Sequence, residues 1–165
     1  MIPMFIRDAK LEDAEAILQI YAPIVEKTAI SFETQVPDKN EIQTRIKAYS
    51  ESHTFLVADN GNTIQGYCYG SSFRPRKAYE KAAEVTVYVA EDQQGKGIGH
   101  SLYAELFKQL IDRGFHTAIA GITLPNPASI ALHRASGFET VGTLREVGHK
   151  LDRWHDVQWW QKQLI

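Results

Sequence analysis

The sequence predicts an α/β fold built on one mixed sheet, and three observations carry that expectation. Segments with a hydrophobic period of two alternate along the chain with segments of period 3.6. Asn60-Gly61 separates two strand-like runs, the pattern of a hairpin. A β-branched run ending at Val89 passes through a glycine-rich loop into an apolar helical pattern and then into another strand, the order of a parallel crossover. A length of 165 residues with 44% hydrophobic and 10% aromatic content suits one domain spanning 1–165, with its own core.

The elements follow in order. Met4 to Asp8 reads as a first strand, and Leu11, Ala14, Leu18, Tyr21 and Val25 recur at helical spacing. Pro37 and Asp38 open a second helix with Ile42, Ile46 and Tyr49 on its apolar face, and Ser52 to Thr54 marks its exit into a strand. Asn60-Gly61 is expected to form a type I′ turn, with positive φ at both central positions, between Phe55–Ala58 and Thr63–Ser72. A loop containing RPRKAYEKA precedes a strand from Glu84 to Val89, where β-branched residues alternate with Thr86 and Tyr88. Beyond the glycine loop, Ile98, Leu102, Leu106 and Leu110 share one helix face and Gly114 supplies the stop. A strand over Ala118–Ile122, a short helix over Ser129–Ala135 ended by Gly137, and two further strands through Trp160 complete the chain.

Charge and composition exclude several function classes. The net charge of −2 gives no basic field for nucleic acid and no acidic tail. The first residues lack the apolar stretch of a signal peptide, and no run is long enough to span a bilayer, so a cytoplasmic protein with a small-molecule partner is expected. The lone Cys68 closes no intrachain disulfide, and no cysteine or histidine spacing points to a metal site; His149 and His155 lie six apart without a supporting carboxylate.

The stretch EDQQGKGIGH raises the sharper question, because it packs three glycines between positions 95 and 99. A loop at the carboxyl end of a strand and the amino end of a helix gathers unpaired N–H groups and the positive end of the helix dipole. Glycines let the backbone approach a phosphate closely, and Lys96 adds a cation. Taken alone, the glycines leave an anion-binding loop and a plain tight turn both open. A Walker loop requires Ser or Thr after its lysine, whereas Gly97 follows Lys96. A dinucleotide fingerprint requires G-x-G-x-x-G and a later carboxylate, whereas the spacing here is G-x-G-x-G.

The run Gln94-Gly95-Lys96-Gly97-Ile98-Gly99 resembles the Q/R-x-x-G-x-G/A loop of the GNAT acetyltransferase superfamily, and NPASIALHRASGF resembles that family's second signature. The resemblance implies a GNAT-like α/β (α+β) single domain, a central mixed, mostly antiparallel twisted sheet with a splayed strand pair and helices on both faces, and acetyl-CoA as co-substrate. It further implies that Gln94, Gly95, Lys96, Gly97, Ile98, Gly99 and His100 hold the CoA pyrophosphate, that Val87, Tyr88 and Val89 meet the pantetheine arm, and that Asn126 reaches the same arm. A plain structural reading of Asn126 is a helix-entry turn. More narrowly, ISFET, SSFRPRKAY, EVTVYV, ASIALHRASGF and GTLREVGHKLDRWHDVQWW resemble the phosphinothricin and methionine sulfoximine N-acetyltransferases, a group that forms homodimers. This chain departs from the group at Ala82-Ala83 before Glu84, where Thr-Val is usual, and so lacks a hydroxyl that bears on acceptor preference.

The chemistry assigns further roles. An α-amine is mostly ammonium at neutral pH, so a base or water relay must take a proton before it attacks a thioester. Glu84, read as the first residue of its strand, is the candidate base, against the plain reading of a solvated charge. Backbone N–H groups around Val87 to Val89 are candidate donors to the developing oxyanion. His133 stands where many GNAT enzymes carry a tyrosine near the thiolate; it is a secondary catalytic candidate beside the reading of a half-exposed helix histidine. Arg74 and Arg76 suit a carboxylate or phosphinate, Phe32 an apolar wall, and Tyr79 the pocket lining. Tyr88 shares a strand face with Glu84 and Thr86. His155-Asp156 reads as a turn entering the last strand. A protein N-terminal acetyltransferase and a non-catalytic acyl-CoA sensor remain as other readings.

Overall fold

The structure, a computed structural model, describes residues 3–165. Seven strands form one sheet in the order β1-β2-β3-β4-β5-β7-β6: β1 (Phe5–Asp8), β2 (Thr54–Asp59), β3 (Ile64–Ser72), β4 (Ala82–Val89), β5 (Thr117–Thr123), β6 (Glu139–Lys150) and β7 (Arg153–Gln163). Every neighbouring pair is antiparallel except β4 and β5. Helices α1 (Ala14–Lys27) and α2 (Lys39–Ser52) cover one face, and α3 (Ile98–Asp112) covers the other, with α4 (Pro127–Ala135) beside it.

The alternation within β2 explains this sandwich. Leu56 and Ala58 pack with Cys68 and the α3 residues Leu102, Leu106 and Leu110, whereas Phe55 and Val57 pack with Tyr67 and the α1–α2 residues Ile17, Tyr21, Ile42 and Ile46. A strand buried on both faces reads as the continuous apolar run seen in its sequence. Leu102, Leu106 and Leu110 are fully buried, so truncating any one to Ala costs about 2–5 kcal/mol.

Local signals set the helix ends. Asp38 caps α2 by accepting the Glu41 N–H at 2.8 Å. Gly114, at φ +89°, terminates α3, and the Phe115 N–H reaches back to the Leu110 carbonyl at 2.9 Å. Asn126 caps α4, with Pro127 in its first turn.

Several expectations are corrected. Leu11 is 48% exposed in a 3-10 turn before α1, and Ile17 takes the buried place in the helix stripe. The β2–β3 connection is not a two-residue type I′ turn, because only Gly61 there has positive φ. Asn60 Oδ1 instead accepts the N–H groups of Asn62 at 2.9 Å and Thr63 at 2.8 Å, which builds a longer loop. Glu84 is the third residue of its strand, which begins at Ala82. His155 and Asp156 lie inside β7, and the Asp156 carboxylate accepts the Glu146 N–H at 2.8 Å across a β6 irregularity. Among the described residues, no helix is long and apolar enough to cross a membrane.

Candidate functional site

β4 and β5 pair for three rungs, Ala82–Thr117, Ala83–Ala118 and Glu84–Ile119, and then part. The Ala90 N–H bonds the in-register Gln65 carbonyl at 2.9 Å, so the antiparallel alternation turns the backbone groups of Tyr88, Thr86 and Glu84 toward β3. Those of Val85, Val87 and Val89 therefore point toward β5. Past the last shared rung, Val87 and Val89 thus present N–H and C=O groups to an open cleft. The backbone of Tyr88 does not, because it is spent on Tyr67 of β3.

The side chains of β4 alternate the other way. Glu84, Thr86 and Tyr88 face the α1–α2 side and line a cavity of about 670 Å³. Tyr21, Arg45 and Tyr49 close it from the helices, Ser31, Phe32 and Glu33 from the segment joining α1 to α2, and Leu144, Val147 and Trp159 from the β6–β7 hairpin.

One hydrogen-bonded cluster builds that wall. Arg45 grips Glu33 through both terminal nitrogens, at 3.0 and 2.5 Å, and its Nε bonds Glu41 at 3.0 Å. The Tyr21 hydroxyl donates to Glu33 and in turn accepts from Ser31 Oγ at 2.6 Å. The Arg45 guanidinium holds the Glu33 carboxyl below the usual carboxylate range, whereas burial, aided by Glu33, pushes the Tyr21 phenol up. Burial also raises Glu84, opposed by the positive charge of Arg74. Glu33 is therefore fixed as an anion, and Glu84 is the carboxyl in the cavity that more readily holds a proton.

The glycine loop lies at the end of the parted strand. Gly95 and Gly97 adopt φ of +77° and +78°, and a Cβ built on either meets nothing within 4 Å. Gly97 is the N-cap of α3 and no side chain caps that end, so the N–H groups of the first helical turn are left for a ligand. Gly99 differs, since its Cβ would stand 3.0 Å from Leu132, and its role is close packing of α3 on α4. Ile98 is buried in the core and offers only its backbone, Lys96 folds onto Gln93 at 3.1 Å, and Gln94 and His100 are exposed. An open cradle of N–H groups at a helix start, continued by the free edge of β4, fits a phosphate-ended arm such as that of CoA.

The remaining candidates divide. Phe32, Glu84, Thr86 and Tyr88 line the cavity; Arg74, Arg76 and Tyr79 do not. Arg74 is exposed, lies 5.2 Å from the Phe73 ring centroid and acts on Glu84 through its charge, and Tyr79 packs edge-on against Phe73. Asn126 Oδ1 accepts the Ser129 N–H at 3.1 Å. His133 is buried rather than half-exposed. Its Nδ1 donates to the Ser129 carbonyl at 2.7 Å, which leaves Nε2 to accept from the Tyr103 hydroxyl at 2.9 Å, and burial pushes its pKa down. Ala83 is buried against α3, so of the two substituted alanines only Ala82 shares the Glu84 face. Sequence reasoning missed Arg45 and Glu33 as site residues.

A parted strand whose free edge fits a phosphate-ended arm, leading to a cavity with a carboxylate of raised pKa, suits one class, the acyl-CoA-dependent acyltransferases. Comparison with known proteins then gives the family. The acetyltransferase (GNAT) domain model matches residues 6–159, and the chain belongs to that family. It is 38% identical to a phosphinothricin N-acetyltransferase of Streptomyces coelicolor, over 96% of this chain and 95% of the relative. It is also 38% identical to an L-methionine sulfoximine/L-methionine sulfone acetyltransferase of Pseudomonas aeruginosa, over 96% and 94%. Among solved structures, a putative acetyltransferase of Salmonella typhimurium with acetyl-CoA superposes with a TM-score of 0.94 at 32% identity, covering 98% of this chain and 94% of that one. The chain is an acetyl-CoA-dependent N-acetyltransferase.

Proposed function

We propose that the acceptor is the α-amine of a small amino acid or analogue of the phosphinothricin, methionine sulfoximine or methionine sulfone type, acetylated by direct attack without a covalent enzyme intermediate. The carrying observation is the place of Glu84, on the cavity face of β4 at the last rung before the strands part. Acetyl-CoA, when bound, supplies an activated acetyl thioester at the cleft. Glu84, raised by burial, accepts the ammonium proton, directly or through a water, and frees the lone pair of the nitrogen. The N–H groups of Val87 and Val89 face the cleft and are positioned to stabilise negative charge on the acyl oxygen. As the C–N bond forms, the thioester C–S bond breaks and CoA leaves as its thiolate, which takes up the second proton shed by the acylated nitrogen; His133, locked on Tyr103 and Ser129, supports α4 and passes no proton in this scheme. Arg45 is held by two carboxylates, so the acceptor's acidic group falls to Arg74, which lies outside the cavity lining but close enough to act on Glu84 through its charge.

We also infer a homodimer. Val141, Leu151 and Trp154 of the β6–β7 hairpin are 52–63% exposed, apolar groups outside the cavity that a second copy would cover.

The test is thiol release from acetyl-CoA with phosphinothricin, methionine sulfoximine, methionine sulfone, unmodified amino acids and a peptide amine. Turnover confined to the small analogues supports the reading. Turnover with the peptide alone, or binding of acetyl-CoA without turnover, contradicts it.

A further inference from the structure

The segment that walls the acceptor cavity has no regular structure of its own, yet it carries Ser31, Phe32 and Glu33 into place. Glu33 is anchored to α1 and α2 through Tyr21 and Arg45. The opposite anchor is on β6. The Lys150 ammonium, 7% exposed, donates to the Ser31 carbonyl at 2.7 Å. Two residues earlier on the same face of β6, Gly148 meets the Phe32 ring. A Cβ built on Gly148 would fall well inside van der Waals contact of Phe32 Cε2 and Cζ, and would lie 2.9 Å from Cδ2. The ring also lies 6.3 Å, centroid to centroid, from His155, the residue paired with Gly148 across the hairpin.

Gly148 is not among the glycines of positive φ, so its backbone tolerates any L residue. The three atoms that a Cβ there would meet first all belong to the Phe32 ring. Gly142, on the same edge strand, provides the contrast, since a Cβ there meets nothing within 4 Å. Gly148 itself does not line the cavity, whereas Phe32 does, and Phe32 remains 40% exposed.

We propose that Gly148 is a positioning residue for acceptor selection: its missing side chain is the notch that seats Phe32, and the seated ring sets the room left for the acceptor's side chain. This rests on the reading of the cavity as the acceptor site. Larger residues at 148 displace the ring and alter which acceptors fit, without touching the cofactor loop.

The test compares wild type, Gly148→Ala, Gly142→Ala, Phe32→Ala and the Gly148→Ala/Phe32→Ala double variant. Aromatic NMR resonances of Phe32 are followed in protein labelled with 13C-phenylalanine, and are assigned by their loss in Phe32→Leu. Gly148→Ala is expected to move those resonances and raise the KM for methionine sulfone about tenfold, with kcat and the acetyl-CoA KM changed less than about twofold. Gly142→Ala should do neither, and Gly148→Ala should add nothing once Phe32 is Ala. Unmoved Phe32 resonances, or the same KM change with and without the ring, overturn the proposal. If wild type acetylates no amine, the acceptor reading falls and takes the selection role with it, while moved resonances would still establish Gly148 as the seat of Phe32.

Discussion

Tyr103 and His133 meet in the interior, hydroxyl to Nε2 at 2.9 Å, and the contact ties α3, the helix that follows the glycine loop, to α4. Because the imidazole is buried and its pKa is lowered, the native state resists its protonation. The unfolded chain then binds more protons near pH 6, so the stability present above the unfolded pKa of about 6.5 is lost as pH falls toward the lowered native value. His133→Ala is expected to cost about 2–4 kcal/mol in urea unfolding at neutral pH. It should also flatten the decline between neutral and acidic pH. Part of that decline stays, since His53 is also lowered by burial. A His133→Ala variant of native stability that had lost its turnover would favour a direct catalytic role.

Gly97→Ala places a side chain at φ +78°, which costs about 1–2 kcal/mol of backbone strain although its Cβ has room. The first turn of α3 should shift, and calorimetry should show weaker CoA binding by roughly tenfold, with the acceptor KM changed much less. Unaltered CoA affinity would remove the loop from the cofactor site.

The ion pair of Glu33 with Arg45 joins the α1–α2 connection to α2. The Glu33 carboxyl is lowered first by Arg45, so its stabilising contribution is present above the ordinary carboxylate pKa and is lost as pH falls through the lowered native value. Both partners keep some solvent contact, so Glu33→Gln should cost only about 1 kcal/mol at pH 7. Thermal melts should show the gap to wild type closing on acidification. A gap that widens would reverse the sign of this assignment.

Trp154, 60% exposed, is a marker for the hairpin surface. Sedimentation is expected to give a dimer for wild type and a species shifted toward monomer for the Val141→Asp/Trp154→Asp variant. A monomeric wild type contradicts the dimer.

Much of this arrangement is legible in the sequence because local chemistry writes it. The glycines of the loop, the stop at Gly114 and the shared face of Glu84, Thr86 and Tyr88 follow from backbone freedom and the period of two. The turn at Gly61 was visible, but its type was not, since the Asn60 side chain rather than paired positive φ closes it. The Glu33–Arg45–Tyr21 wall was illegible because it joins three segments through tertiary packing, and each residue alone looks like a helix or loop polar group. Arg76 and Tyr79 looked promising by residue type, yet the loop carries them outside the cavity lining.

The central claim is that Glu84 receives the proton of the acceptor amine, and the pH dependence of kcat/KM for wild type and Glu84→Gln tests it most directly. The account predicts a wild-type rise with pH whose acidic limb belongs to a carboxyl above its ordinary range. Glu84→Gln should lose about 10²–10⁴-fold at neutral pH and recover part of that loss at high pH, where free amine is abundant. A variant with the wild-type rate and the same acidic limb would contradict it and assign the proton to another group.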